Sequence, residues 1–285
     1  MQDICVAAIA TANRPGEPEA NLAHHAAWVR RAADQGAELA LFPELGVSGY
    51  WTDLRLWHVA EPVPGPSTAA LERIARETGV VICAGIAEKA HDIVYNTQVL
   101  VGPAGFIGKS RKLHIPIPEY AYWRGGSEAP VYDIGKCKVG ITICFDNWFC
   151  ESSRLVTLQG AEVLLSPWVW ATRTAETPED TTAANRAWKE HAGRVFPARA
   201  YENGLFVVVV NESGPVDEKG FRYDGHPVCL VYDPQGHRIA ESDDDATGEV
   251  LVVTTLRAEA SAARRSEGHY HPKFRRPELY GALVE

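Results

Sequence analysis

The sequence has no apolar run approaching the roughly 20 residues that a membrane-spanning helix needs, so no membrane partner is expected. Its first residues, MQDICVAAIATANRPGE, have no basic stretch ahead of the short apolar run. They read as a first strand rather than a secretory leader. Cysteines stand at 5, 83, 137, 144, 150 and 229, and no Cys-x-x-Cys pair occurs among them. That excludes the framework of a secreted disulfide scaffold and suits small buried hydrophobes in a reducing cytoplasm. Positive charge is in deficit: Lys and Arg total 28 against 37 Asp and Glu, a net charge of −9. A nucleic-acid surface is therefore not expected, and a small-molecule partner fits better. No Ser/Gly-rich linker divides the 285 residues. One domain is expected over 1–285, although about 150 residues per domain is the general prior.

What is present is alternation. Strand-like runs at Ile4–Ile9, Leu39–Phe42, Val80–Gly85, Val139–Cys144, Glu162–Leu165 and Leu205–Val210 are separated by helical stretches near 20–35, 67–78, 149–159 and 185–201. Val94–Val101 and Phe106–Lys109 flank a Gly-Pro-Ala-Gly turn and predict a hairpin. Val228–Tyr232 and Val250–Thr254 complete an α/β pattern. The chain also repeats itself. Gln35-Gly-Ala-Glu-Leu-Ala-Leu-Phe-Pro-Glu44 matches Gln159-Gly-Ala-Glu-Val-Leu-Leu-Ser-Pro-Trp168, and Ala75-Arg-Glu-Thr-Gly-Val-Val matches Ala200-Tyr-Glu-Asn-Gly-Leu-Phe. The period is far too long for a solenoid, so two related α/β halves packed sheet against sheet, with helices outside, are expected. The polar segment 172–184 reads as a loop walling a pocket. The basic, aromatic tail 261–285 reads as an arm packed on the body or on another subunit.

Three strand ends each deliver one reactive side chain. Glu44 follows Leu-Phe-Pro, Lys112 follows Ser-Arg ahead of Leu-His-Ile-Pro, and Cys144 ends Val-Gly-Ile-Thr-Ile just before a helix. Backbone N–H groups at such a turn bind an anion and lower a thiol's pKa. Singly, each residue reads as ordinary core or surface. Together they make a thiol nucleophile, a carboxylate base and an ammonium for an oxyanion.

These blocks, with Glu61-Pro-Val-Pro-Gly65, Asn211-Glu-Ser-Gly214 and Asp233-Pro-Gln-Gly236, resemble the nitrilase superfamily of carbon–nitrogen hydrolases over the whole chain. The resemblance implies a four-layer αββα sandwich of two pseudo-symmetric halves that forms a homodimer or higher homo-oligomer. It needs no cofactor and no metal. It carries Glu44 over as general base, Lys112 as oxyanion partner and Cys144 as nucleophile. Glu119, ahead of Tyr-Ala-Tyr-Trp-Arg-Gly-Gly126, takes the place of the family's second glutamate. The family usually has proline where this chain has Cys150. Phe145 would offer its N–H to the oxyanion. Tyr50, Trp123, Asn147, Trp148, Trp168, Arg173 and also Glu61 and Trp170 lie near the blocks and are candidates to line the substrate pocket. Trp168 occupies the repeat position of Glu44.

Other readings fit less well. Gly102-Pro-Ala-Gly-Phe-Ile-Gly108-Lys-Ser110 has five residues between its glycines where a phosphate loop has four. The histidines, including His191, lack metal-ligand spacing. No arginine follows Cys144 before Arg154, which argues against a cysteine phosphatase. Within the family, Phe-Asp after the cysteine resembles the amidase and carbamoyl-hydrolase branches, and Asp-Asn-Trp-Phe resembles hydrolases of N-carbamoyl amines. A small linear amide or N-carbamoyl compound is the expected substrate. A nitrile hydrolase is the alternative, and an inactive binding homologue the second alternative.

Overall fold

The computed structural model describes residues 1–172, 178–214, 216–218 and 221–283. The first half runs β1 (Ile4–Ala10), α1 (Pro18–Asp34), β2 (Leu39–Leu41), α2 (Leu56–Val59), α3 (Pro66–Thr78), β3 (Val81–Ala90), β4 (Ile93–Gly102) and β5 (Gly105–Arg111). The second runs β6 (Val131–Asp133), β7 (Lys138–Ile141), α4 (Cys150–Leu158), β8 (Val163–Pro167), β9 (Ala171–Thr172), α5 (Pro178–Asn203), β10 (Phe206–Val210), β11 (Val216–Glu218), β12 (Phe221–Gly225), β13 (Cys229–Tyr232) and β14 (Arg238–Glu241). The chain closes with β15 (Val250–Leu256) and α6 (Ala258–Ser266).

Two six-stranded sheets result, ordered β15-β1-β2-β3-β4-β5 and β6-β7-β8-β10-β13-β14. Each pairs antiparallel, parallel, parallel, antiparallel, antiparallel along that order. The repeat read in the sequence is therefore a repeat of topology, strand for strand. Leu41 lies between Ala8 and Cys83, as Leu165 lies between Ile141 and Val208.

The inner faces of the two sheets share one apolar cluster, in which Leu41, Cys83 and Leu100 meet Ile141, Leu165, Val208 and Val231. These central strands are buried on both faces, which is why they read as continuous apolar runs. On one outer face Trp28 and Val29 of α1 and Leu71 and Ile74 of α3 cover the first sheet. On the other, Val156 of α4 and Trp188, Ala192 and Phe196 of α5 cover the second. This is the four-layer sandwich, with Pro18 and Pro66 in the first turns of their helices, where a missing N–H costs nothing.

One expectation changes. The segment 172–184 is not one loop: Ala171–Thr172 pairs with β12, and α5 already begins at Pro178. Proline suits a first helical turn, and the Thr-rich start of this helix lacks the apolar period that would reveal it. The tail begins inside α6. Buried Arg264 donates to the Tyr201 carbonyl at 3.0 and 3.2 Å, and Tyr270 donates to the Asn203 carbonyl at 2.9 Å, so this part of the arm is fixed to the end of α5. Short 3-10 turns follow, with Phe274, Leu279 and Leu283 exposed. Among the described residues no helix is long and apolar enough to cross a membrane.

Candidate active site

Four strand ends converge at one end of the sandwich. β2 leads through Phe42 and Pro43 to Glu44, β5 to Lys112, β7 to Cys144, and β8 to Val169. Glu44 is at the centre, and only 1% of it is exposed. Its Oε1 accepts from Lys112 Nζ at 2.8 Å and from Asn96 Nδ2 at 2.6 Å. Its Oε2 accepts from the Val169 N–H at 2.9 Å. The charge of Glu44 acts on the nearby Cys144 thiol. Glu119, from the 3-10 turn Ile117–Glu119, accepts from Lys112 at 2.9 and 3.2 Å and from the Tyr50 hydroxyl at 3.0 Å. One buried ammonium is thus held between two buried carboxylates.

Electrostatics give each group a resting state. Burial opposes the Lys112 charge, but Glu44, Cys144 and Glu119 outweigh it and hold the ammonium well above its ordinary pKa. Burial, followed by the charge of Glu44, pushes the Cys144 thiol well above its ordinary value, while Lys112 pulls it down. Burial likewise raises the Glu119 carboxyl against the pull of Lys112. Tyr50, raised by burial and then by Glu119 and Glu44, stays a neutral donor. The resting site is therefore a neutral thiol beside a charged lysine.

Local geometry sets these positions. Cys144 has φ +46°, a left-handed conformation that costs a non-glycine residue about 1–3 kcal/mol. The strain is held by neighbours. Asn147 donates to the Thr142 and Cys144 carbonyls at 3.1 and 2.9 Å and accepts from the Thr142 hydroxyl at 2.7 Å. Asp146 accepts the N–H groups of Ile143, Leu113 and His114, at 3.0, 3.0 and 2.7 Å, and so ties the cysteine turn to the chain just after Lys112. On the other side, a Cβ on Gly85 would lie 2.1 Å from the Leu45 nitrogen, so the loop carrying Glu44 rests directly on that glycine.

The structure brings together Glu44, Lys112, Glu119, Cys144 and Tyr50. The pocket candidates take several places. The Asn147 amide serves the cysteine turn. The Trp168 ring is buried against Trp188 and Phe196, and its N–H donates to Ser166 Oγ at 2.7 Å. Trp123 is buried and donates to the Trp51 carbonyl at 3.3 Å. Glu61 accepts the Ser67 N–H at the start of α3. Trp148 packs on His191 at 4.3 Å and on Trp170 at 6.2 Å, a partly exposed aromatic group next to the Val169 segment. The Phe145 ring meets Phe149 edge to face. Arg173 lies outside the described residues. Asn96, Asp146 and the Val169 N–H were not foreseen: a mid-strand asparagine and a backbone donor give no sign in the sequence. For Asp146 the sign was its place two residues after the cysteine. Among the described residues, no group of three or more His, Cys, Asp or Glu side chains is placed to hold a metal ion.

The model of the carbon–nitrogen hydrolase family matches residues 5–265. A nitrilase of Pyrococcus abyssi is 38% identical over 232 residues, covering 80% of each chain. An N-carbamoylputrescine amidase of Solanum lycopersicum is 30% identical over 278 residues, covering 93% of this chain and 89% of that protein. The crystal structure of a carbon–nitrogen hydrolase from Helicobacter pylori G27 superposes with a TM-score of 0.86 at 21% identity, covering 100% of this chain and 99% of that one. With its matching sheets and its four strand ends meeting at Glu44, the chain belongs to the carbon–nitrogen hydrolases of the nitrilase superfamily.

Proposed function

We propose that this hydrolase cleaves the C–N bond of a small linear amide or N-carbamoyl compound through a thioester on Cys144. The observation that carries the reading is the buried Glu44 carboxylate, which holds Lys112 at 2.8 Å while its charge acts on the Cys144 thiol. A neutral thiol next to a carboxylate makes attack and deprotonation one event. The thiol proton passes to Glu44 as sulfur bonds to the substrate carbon. Charge moves to the substrate oxygen, where the Lys112 ammonium and the Phe145 N–H stabilise it. The C–N bond then breaks, and Glu44 returns the proton to the leaving nitrogen, which departs as ammonia or amine. Water enters, gives its proton to Glu44 and attacks the thioester, and the sulfur leaves to recover that proton. Glu119 keeps its charge on Lys112 and supports it through the cycle.

The partly exposed lining around Trp148, Trp170 and His191 is aromatic. Burial, then Arg194, lowers the His191 pKa, so that ring is neutral. Asn147 and Trp148 stand where hydrolases of N-carbamoyl amino acids often carry arginines, which favours N-carbamoyl amines and plain amides over N-carbamoyl amino acids. Nitrile hydrolysis is the second reading, favoured by the 38% identity to the nitrilase of Pyrococcus abyssi. Ammonia release from a panel of primary amides, N-carbamoyl amines, N-carbamoyl amino acids and nitriles decides among them. The expected result is turnover of amides or N-carbamoyl amines, with an acyl adduct on Cys144 seen by mass spectrometry. Turnover confined to nitriles, or no adduct on Cys144, overturns the reading.

A further inference from the structure

We propose that Asn96 is a positioning residue for the catalytic carboxylate, fixing the rotamer in which Glu44 faces Cys144. The inference rests on the assignment of Glu44 as base to Cys144. Asn96 lies in β4 and is fully buried. Its Nδ2 donates to Glu44 Oε1 at 2.6 Å, and its own carbonyl accepts the Lys112 N–H at 2.8 Å. One residue thus holds the base through its side chain and the oxyanion lysine through its backbone. The next pair in the ladder is Thr97 opposite Arg111. Both bond the buried Glu88, Thr97 at 2.7 Å and Arg111 at 2.6 and 2.9 Å, so the register that places Asn96 beside Lys112 is locked from the neighbouring position.

The amide is costly there. Asn96 Oδ1 is buried with no hydrogen-bond partner among the described residues, and a buried acceptor without a donor lowers stability. An apolar side chain would avoid that cost. The amide's benefit is therefore at its other end, as a donor that cannot itself take the proton Glu44 must carry. Lysine at that position would add a second charge, and aspartate would compete for the proton. The charged and titratable groups that face Glu44 are Lys112, Cys144 and, through Lys112, Glu119 with Tyr50. Among them Asn96 is a neutral donor, so it orients Glu44 without entering its proton exchange.

Two variants test this. Asn96→Ala should lower kcat by about 10- to 100-fold, the usual effect of losing a hydrogen bond to a charged group, with KM little changed. Asn96→Asp keeps the shape but makes a carboxyl pair, and two carboxylates so close do not both ionise at ordinary pH. At acid pH the shared proton lets the new carboxyl donate to Glu44 as the amide did, and activity should approach wild type. As pH rises and that proton leaves, the carboxylates repel, and kcat/KM should fall along an alkaline limb that wild type lacks. Without substrate, Cys144 alkylation by iodoacetamide should have its midpoint at higher pH in Asn96→Asp than in wild type, because a second carboxylate beside Glu44 disfavours the thiolate. Wild-type kcat in a folded Asn96→Ala variant, or a wild-type pH profile in Asn96→Asp, overturns the proposal. If the alanine variant does not fold, the isosteric aspartate variant decides. A wild-type enzyme that releases no ammonia from any compound of the panel and forms no acyl adduct on Cys144 would instead remove the amide-hydrolase reading itself.

Discussion

The exits of β2 and β8 are the same place in two copies of one half-fold. Each strand lies between two parallel neighbours and runs on to a proline, Pro43 two residues past β2 and Pro167 at the end of β8. Beyond that point they differ. After β8 the chain keeps the ladder: the Trp168 N–H donates to the Val210 carbonyl at 2.8 Å, and the ring turns into the outer core. After β2 it turns sharply, with Leu45 at φ +52°, and it is the Val47 N–H that reaches the Gly85 carbonyl, at 2.8 Å. Gly85 is the repeat counterpart of Val210. A side chain on Gly85 would occupy the Leu45 nitrogen, so the missing Cβ permits the turn that aims Glu44 at Cys144. One copy became chemistry through a glycine on the neighbouring strand. The other still contributes, since Val169, one residue past its tryptophan, donates to Glu44.

The comparison can be broken most severely at Glu44. Glu44→Gln should cost about 10²–10⁴-fold in kcat, the usual contribution of a general base. It should also lower the pKa of Cys144, because a negative charge that raises it is gone while Lys112 remains. Alkylation of Cys144 in this variant should therefore have its midpoint at lower pH than in wild type, even as turnover is lost. An unchanged midpoint would show that Glu44 does not face the thiol. Next in size is Lys112→Ala, with kcat down by about 10²–10³-fold, as for other oxyanion donors. A loss seen only in KM would remove the lysine from that role.

A sharper contrast sets Gly85→Val against Val210→Ala. Displacing a catalytic group by about 1 Å costs on the order of 10²-fold in rate, so the first variant should lose kcat. The second removes two buried methyl-sized groups and should cost about 2 kcal/mol of stability with kcat unchanged. Denaturant melts and steady-state rates separate the two, and equal kcat losses would end the distinction between the exits. The smallest effect is expected from Trp168→Phe, which deletes the N–H bond to Ser166. It should cost about 1 kcal/mol and leave the substrate ranking as it was. A reordered substrate panel would return Trp168 to the pocket wall.

Much of this was legible in the chain. The literal Gln-Gly-Ala-Glu repeat gave the duplicated architecture, because a strand buried on both faces leaves little freedom in its apolar run. Glu44 and Cys144 were visible because each follows such a run, and Lys112 because it opens the apolar, Pro-bounded segment Leu-His-Ile-Pro. What stayed hidden lacks a local mark. Asn96 sits inside Val-Tyr-Asn-Thr-Gln-Val, where its role depends on a partner 52 residues away. Val169 acts through a backbone N–H that every residue but proline has. Trp168 showed its repeat position but not which way its ring would turn, since that follows from the backbone bond of its N–H to the Val210 carbonyl of another strand.

The donors around Glu44 come from positions 96, 112 and 169, and so from both sheets. Contacts this distant along the chain form late, because each must first meet the entropy of closing a long loop. In a refolding experiment, helical and strand signals should therefore recover before alkylation of Cys144 reaches its native rate. The reactive thiol then serves as a clock for the last step of assembly, the docking of one half-fold against the other.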